Sequence, residues 1–256
     1  MARLARTAKP CNQWTANELS AYNITVVRQD YATFFEMPTP PEPTINPHVS
    51  TTADQNNSQT VKTARTLKYM AFVMDWKLCS VLDFALALMD ELEYPQRGEL
   101  LTIRWNSSPL VVCGKNKRAI TDLCLLNVLN SEQWIYAALL LVQEVKGDQD
   151  PHAPLVAKAI AAFTHNRTCM EAIGLSPPSS TVIAGITLKG TMPAFYKINV
   201  SLELATAVRE GVYPESPTIV YEHIPDVPGP LSEGMRPLDN RRVIMSCFEA
   251  FKKFIT

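Results

Sequence analysis

The sequence has almost no net charge, no paired cysteine motif and no apolar run long enough to cross a membrane, and each absence removes a class of protein. With a formal charge of -1 over 256 residues, no overall field attracts a polyanion, so an anionic partner has to be held by a local basic patch. Six cysteines (Cys11, Cys79, Cys113, Cys124, Cys169, Cys247) are scattered without a C-x-x-C pair or a histidine at zinc spacing, and they read as reduced thiols rather than a disulfide framework. No stretch of about 18 apolar residues is present, and the opening MARLARTAKPCNQW lacks the apolar centre of a secretory signal, so the expectation is an intracellular protein without a membrane span. Internal repeats are missing too, which excludes a solenoid.

What is present is enough apolar content, 46%, to build a core without disulfides. The stretch MPTPPEPTINPHVSTTADQNNSQT from Met37 is rich in Pro, Thr, Ser and Asn and predicts a loop. It divides the chain into an N-terminal extension (1–36) that packs back on the core, a loop (37–62) and a core domain (63–256). In the extension, Thr15 followed by Glu18 predicts a capped helix start, and Ile24 to Val27 a strand. From Thr63 to Glu93, apolar residues at helical spacing predict one long helix or two in succession, ended by Pro95 and Gly98.

LLTIRW (100–105), PLVVCG (109–114) and ITDLCLLNV (120–128) then read as strands, separated by Asn-Ser-Ser and Gly-Lys-Asn-Lys turns. LLLVQEVKGD (139–148) follows as the next strand. PLVAKAIAAFTHN predicts an amphipathic helix, STVIAGITLKG and MPAFYKINV two strands, and SLELATAVREG a helix opened by Ser201 and closed by Gly211. A Pro-rich loop, VYPESPTIVYEHIPDVPGPLSEGMRP, leads to a last helix from about Asp239 to Phe254, with Arg241-Arg242 and Lys252-Lys253 on its exposed face. The sum is an α/β fold, a mixed central sheet flanked by helices.

One feature of this order invites chemistry. Side chains alternate along a strand, so Glu144 and Lys146 share one face while Val145 and Gln143 share the other. Charges at the end of so apolar a strand are costly unless paired, hydrated or metal-bound. If the strand holding Asp122 runs antiparallel to it, Asp122 comes close to Glu144, and a divalent ion would relieve the repulsion of the two acids. Mg²⁺ prefers such oxygen donors. A lysine two residues beyond could then hold a phosphate oxygen or the attacking water.

Asp122, a gap, then Glu144-Val145-Lys146 resembles the PD-(D/E)xK signature of the restriction-endonuclease-like nuclease superfamily, in the same order of elements. The resemblance implies a restriction-endonuclease-like sheet with an antiparallel meander and a Mg²⁺- or Mn²⁺-dependent nuclease acting on DNA ahead of RNA. It implies Asp122, Glu144 and Lys146 as catalytic residues, and Asp83, Asp122, Glu144 and the carbonyl of Val145 around the metal, with Glu91 a weaker alternative to Asp83. The chain departs from the pattern in three ways: Thr121 stands where proline is usual, the acids lie 22 residues apart (144 minus 122), and Asp83 is shorter than the usual glutamate. The chain also resembles a family of uncharacterised proteins from mushroom-forming fungi, through ARTAKPCNQWTANELSAYNITV, TDLCLLN, LLLVQEVK, AKAIAAF, GTMPAFYKINV and PLDNRRVIMSCFEAFKKF.

Around this motif, Lys115, Lys117 and Arg118 form a charged turn that could grip phosphates. Trp105, Trp134 and Tyr196 fit core packing first and base stacking second. His152 and His165 stand 13 apart (165 minus 152), more than three turns, too far to share a metal on one helix. Glu144 and Lys146 also fit a surface ion pair at a strand end, Asp83 a solvated helix face, and Gln143 a structural role or the flank of a cleft. Two other functions stay open: a catalytically silent nuclease-fold binding protein, and a fungal defence or carbohydrate-binding protein. A homodimer is open as well.

Overall fold

The computed structural model describes residues 6–43, 49, 51–52, 60–76, 81–94, 100–133 and 135–255. Thr15 opens the first helix through a capping box with Glu18, whose carboxylate accepts the Thr15 N–H at 2.8 Å, satisfying donors that a helix start leaves bare. That helix, α1 (Ala16–Ala21), leads into β1 (Ile24–Arg28) and α2 (Tyr31–Phe35). The long apolar stretch is two helices, α3 (Val61–Ala71) and α4 (Val81–Glu91). There follow β2 (Leu100–Val112), β3 (Lys115–Asn130), β4 (Ile135–Glu144), α5 (His152–Ala172), β5 (Ser180–Lys189), β6 (Met192–Ser201), α6 (Leu202–Glu210), β7 (Thr218–His223) and α7 (Leu238–Phe251).

The strands make one mixed sheet in the order β1-β7-β6-β5-β4-β3-β2. β2, β3 and β4 pair antiparallel in succession, β4 pairs parallel with β5, and β1 parallel with β7. A parallel step needs a long crossover, and the 21-residue α5 supplies it. Gly185 lets α5 lie close: a Cβ there would stand 3.0 Å from Leu155 Cδ2.

Helices cover both faces, so the central strands are apolar on both sides. Leu123, Leu125, Leu140, Val142, Ala184 and Ile186 pack in one core with α2, α3, α4 and α7. Cys124, Leu126, Leu141, Ile183, Tyr196 and Ile198 pack in the other with α1, α5 and α6. Each Leu, Val or Ile among them contributes roughly 1.5–3 kcal/mol on burial. Half of the loop 37–62 lies outside the described residues, as do Cys79 and Trp134.

Four sequence expectations are corrected. Asn106-Ser107-Ser108 is no turn: Asn106 and Ser108 are buried within β2, opposite Thr121 and Ala119. The hairpin turns instead at Cys113-Gly114, both at positive φ (49° and 71°), as a two-residue turn matched to strand twist requires. Consequently Lys115, Lys117 and Arg118 sit in β3 rather than in a turn. The segment read as one Pro-rich loop contains β7, a strand held between β1 and β6. Arg241 is 1% exposed, not on a solvated face, and donates to the carbonyls of Met235, Val49, Thr52 and Arg236.

Candidate functional site

The Asp122 side chain meets the Glu144 main chain. Where β3 enters its pairing with β4, the Glu144 amide donates to Asp122 Oδ2 at 3.1 Å. Lys158 Nζ of α5 lies 3.7 Å from the same oxygen, while Oδ1 makes no hydrogen bond among the described residues. Burial lowers the Lys158 pKa, and the Asp122 charge opposes that shift without cancelling it. Lys158 retains only 7% side-chain exposure, against 20% for Asp122.

The side chains nevertheless part. Glu144 stands level with Leu188, in the row Leu140–Ala184, Val142–Ile186 that lines the core under α4 and α7. By alternation its carboxylate leaves that face. Asp122 and Gln143 turn to the α5 face instead, where Gln143 Nε2 donates to the Pro151 carbonyl at 3.2 Å. Val145 uses its N–H on the Leu188 carbonyl at 2.8 Å, and Lys146 is exposed just beyond. Asp83 is half-exposed on α4 and paired with Arg104 of β2. Glu91 is buried, with Oε1 accepting from Thr63 at 2.9 Å and Oε2 without a partner among the described residues.

Among the described residues, no three His, Cys, Asp or Glu side chains are gathered as a metal cage. The three-acid set that the motif implies is therefore not assembled: Asp83 is held by Arg104, and Asp122 and Glu144 face opposite layers. Lys115 and Arg118 are exposed and Lys117 half-buried, on the part of the β2–β3 hairpin that projects past the end of β4.

A second polar cluster had no counterpart in the motif. On the α5 face, Gln143 is level with Thr187, and Tyr196 with Glu222 and then Arg28. With Asp122 they form a polar row crossing the sheet at the C-terminal ends of β4, β5 and β7. Glu222 Oε1 accepts from the Tyr196 hydroxyl at 2.7 Å and faces His152 Nε2 at 2.9 Å. The other ring nitrogen of His152 lies 2.8 Å from Asp150 Oδ1. Burial favours the neutral form of Glu222, but hydrogen bonds from His152 and Tyr196 together outweigh it and hold the carboxyl below its usual range. The Glu222 hydrogen bond in turn raises His152 against burial, with Asp150 adding to it. Tyr196 is thus a buried hydrogen-bond donor. His165, further along α5, meets the Tyr136 ring at a 45° tilt and touches Cys169.

The ends of parallel strands beside a helix N-terminus are where open α/β sheets usually place ligands. The one signal for this cluster in the sequence was the histidine opening α5; Tyr196 and Glu222 are 44 and 70 residues away from it (196 minus 152, 222 minus 152). No protein-family model matches the chain, and no curated protein matches it. No helix among the described residues is long and apolar enough to cross a membrane.

Proposed function

We propose that the chain is a metal-dependent nuclease of PD-(D/E)xK type that hydrolyses phosphodiester bonds of nucleic acid, DNA ahead of RNA, with Mg²⁺ or Mn²⁺ as its cation. The observation that carries the reading is the 3.1 Å hydrogen bond between Asp122 and the Glu144 amide. It brings the Asp122 carboxylate to the main chain at the end of β4, with the Glu144 side chain on the other face and the exposed Lys146 two residues on. Lys146 would orient the nucleophile or neutralise charge on the phosphate, and Lys115, Lys117 and Arg118 would hold the backbone on the projecting hairpin. The cation itself enters from the resemblance alone, since Asp122 and Glu144 face opposite layers and Asp83 is paired with Arg104.

A second reading, a nucleic-acid-binding protein of similar architecture without turnover, is favoured by the pairing of Asp122 with Lys158 and of Asp83 with Arg104. Plasmid, single-stranded DNA and RNA incubated with Mg²⁺, Mn²⁺ or a chelator separate the two. The nuclease reading expects cation-dependent cleavage that Lys146→Ala abolishes. Binding without cleavage at any cation concentration would replace it with the second reading, and cleavage undiminished in Lys146→Ala would trace the activity to a contaminant.

A further inference from the structure

We propose that His152, Asp150 and Glu222 form a proton-operated latch that fastens the β4–α5 connection, residues 145–151, to the sheet. Both ring nitrogens of His152 face a carboxylate oxygen, at 2.9 Å to Glu222 and 2.8 Å to Asp150. A neutral imidazole carries a single N–H. Two such contacts at once therefore require the imidazolium, and loss of its proton to solvent turns a lone pair on one of them.

Which contact breaks follows from the partners. Glu222 belongs to a central strand, keeps 11% side-chain exposure and is pinned by the Tyr196 hydroxyl. Asp150 lies in the connection itself, with 42% exposure. The remaining proton stays on Nε2 toward Glu222, and Asp150 is released. The connection is then left with the Val145 N–H bond to the Leu188 carbonyl, the exposed Asp148–Lys189 ion pair, the Gln143 bond to the Pro151 carbonyl, the His152 backbone N–H bond to Asp150 Oδ1 and a long Gln149-to-Lys146 bond.

The charged and titratable groups facing the imidazole are Asp150, Glu222 of β7, Tyr196 of β6, whose ring meets it edge-on at 5.7 Å, and Arg28 of β1, level with Glu222. The two carboxylates prevail, and the His152 pKa is raised above 6.5. A raised folded value means that the latch is fully closed below the ordinary histidine range and opens as pH rises through the folded pKa. The connection carries Val145 and Lys146, yet the latch does not depend on their being catalytic.

Hydrogen exchange of the hydrogen-bonded amides of Val145, Gln149 and His152, corrected for intrinsic rates from roughly pH 5.5 to 9 and run beside an NMR titration of His152, tests it. Protection should fall about tenfold as His152 deprotonates, the ratio given by about 1.4 kcal/mol. Asp150→Asn, which leaves the buried Glu222–Tyr196 pair intact, and His152→Gln should both be weakly protected at every pH. A His152 titration at or below the ordinary histidine value, or wild-type protection following pH as the His152→Gln protein does, would overturn the latch whatever the outcome of the cleavage assay.

Discussion

Replacing Asp122 with asparagine should destabilise the protein far more than replacing Lys158 with methionine. Lys158 is the more buried partner, its ammonium 3.7 Å from Asp122 Oδ2. Removing the acid strands a buried cation, which for a fully enclosed pair costs about 3–5 kcal/mol. Because a fifth of Asp122 is exposed, water can relieve part of this, which leaves about 2–3 kcal/mol. Methionine keeps the bulk of the lysine stem and removes the charge, while Asp122 keeps the Glu144 amide and its solvent contact; the cost should stay below about 1 kcal/mol.

In a chain of this size each kcal/mol moves Tm by about 2–4 °C, so the asparagine variant should melt about 5–10 °C lower. Urea midpoints at unchanged m-value give the same comparison. The pH dependence has a definite sign. In Asp122→Asn the folded pKa of Lys158 falls further below the unfolded value of about 10.4, the unfolded chain binds more protons, and stability rises with pH. The deficit against wild type should shrink from neutral pH toward about pH 10. A wild-type midpoint for Asp122→Asn, or greater damage in Lys158→Met, would mean that this ion pair does not organise the strand end.

Three further substitutions test the rest of the fold. Arg241→Met removes the donor to four carbonyls from a side chain whose burial already pushes its pKa down to about 10, and should cost about 3 kcal/mol or more in chemical denaturation. Gly234→Ala places a Cβ 2.3 Å from Thr191 Oγ1 at φ +48° and should lose more than about 2 kcal/mol by calorimetry, whereas Gly147→Ala, at φ +60° with nothing within 4 Å, should lose only about 1 kcal/mol.

Local chemistry made much of the architecture legible in the sequence. The Thr15–Glu18 box, the Ser201 cap, the Gly211 stop at φ +74° and the β5–β6 pair all lie where short-range signals put them. Asn106-Ser107-Ser108 misled because turn-forming residues can be carried in a strand when the partner strand satisfies their backbone. β7 was hidden by Pro214, Pro217 and Pro225, which flank it without entering it.

The facing of the site residues was not legible, for a different reason. Register is read from alternation between a polar and an apolar face, and LCLL in β3 and LLLV in β4 are apolar on both. The pairing shifts by one residue between Leu125 and Leu126, whose partners are Leu140 and Ala138. A slip of one decides whether Asp122 shares a face with Glu144 or with Gln143, and no pattern in the sequence marks it.

The pairing of β1 with β7, Ile24 against Thr218, also sets a timetable for synthesis. With translation at about 5–20 residues per second, the first strand emerges roughly 10–40 seconds before its only neighbour exists. The hairpins of the central strands can form in that interval, and Trp14 and Tyr22 can settle against β3 and α5, whose residues share their core, while the edge of β1 waits for β7. A nascent chain of this protein should therefore hold the β1 edge unpaired, and open to whatever chaperones attend the ribosome, until β7 has emerged.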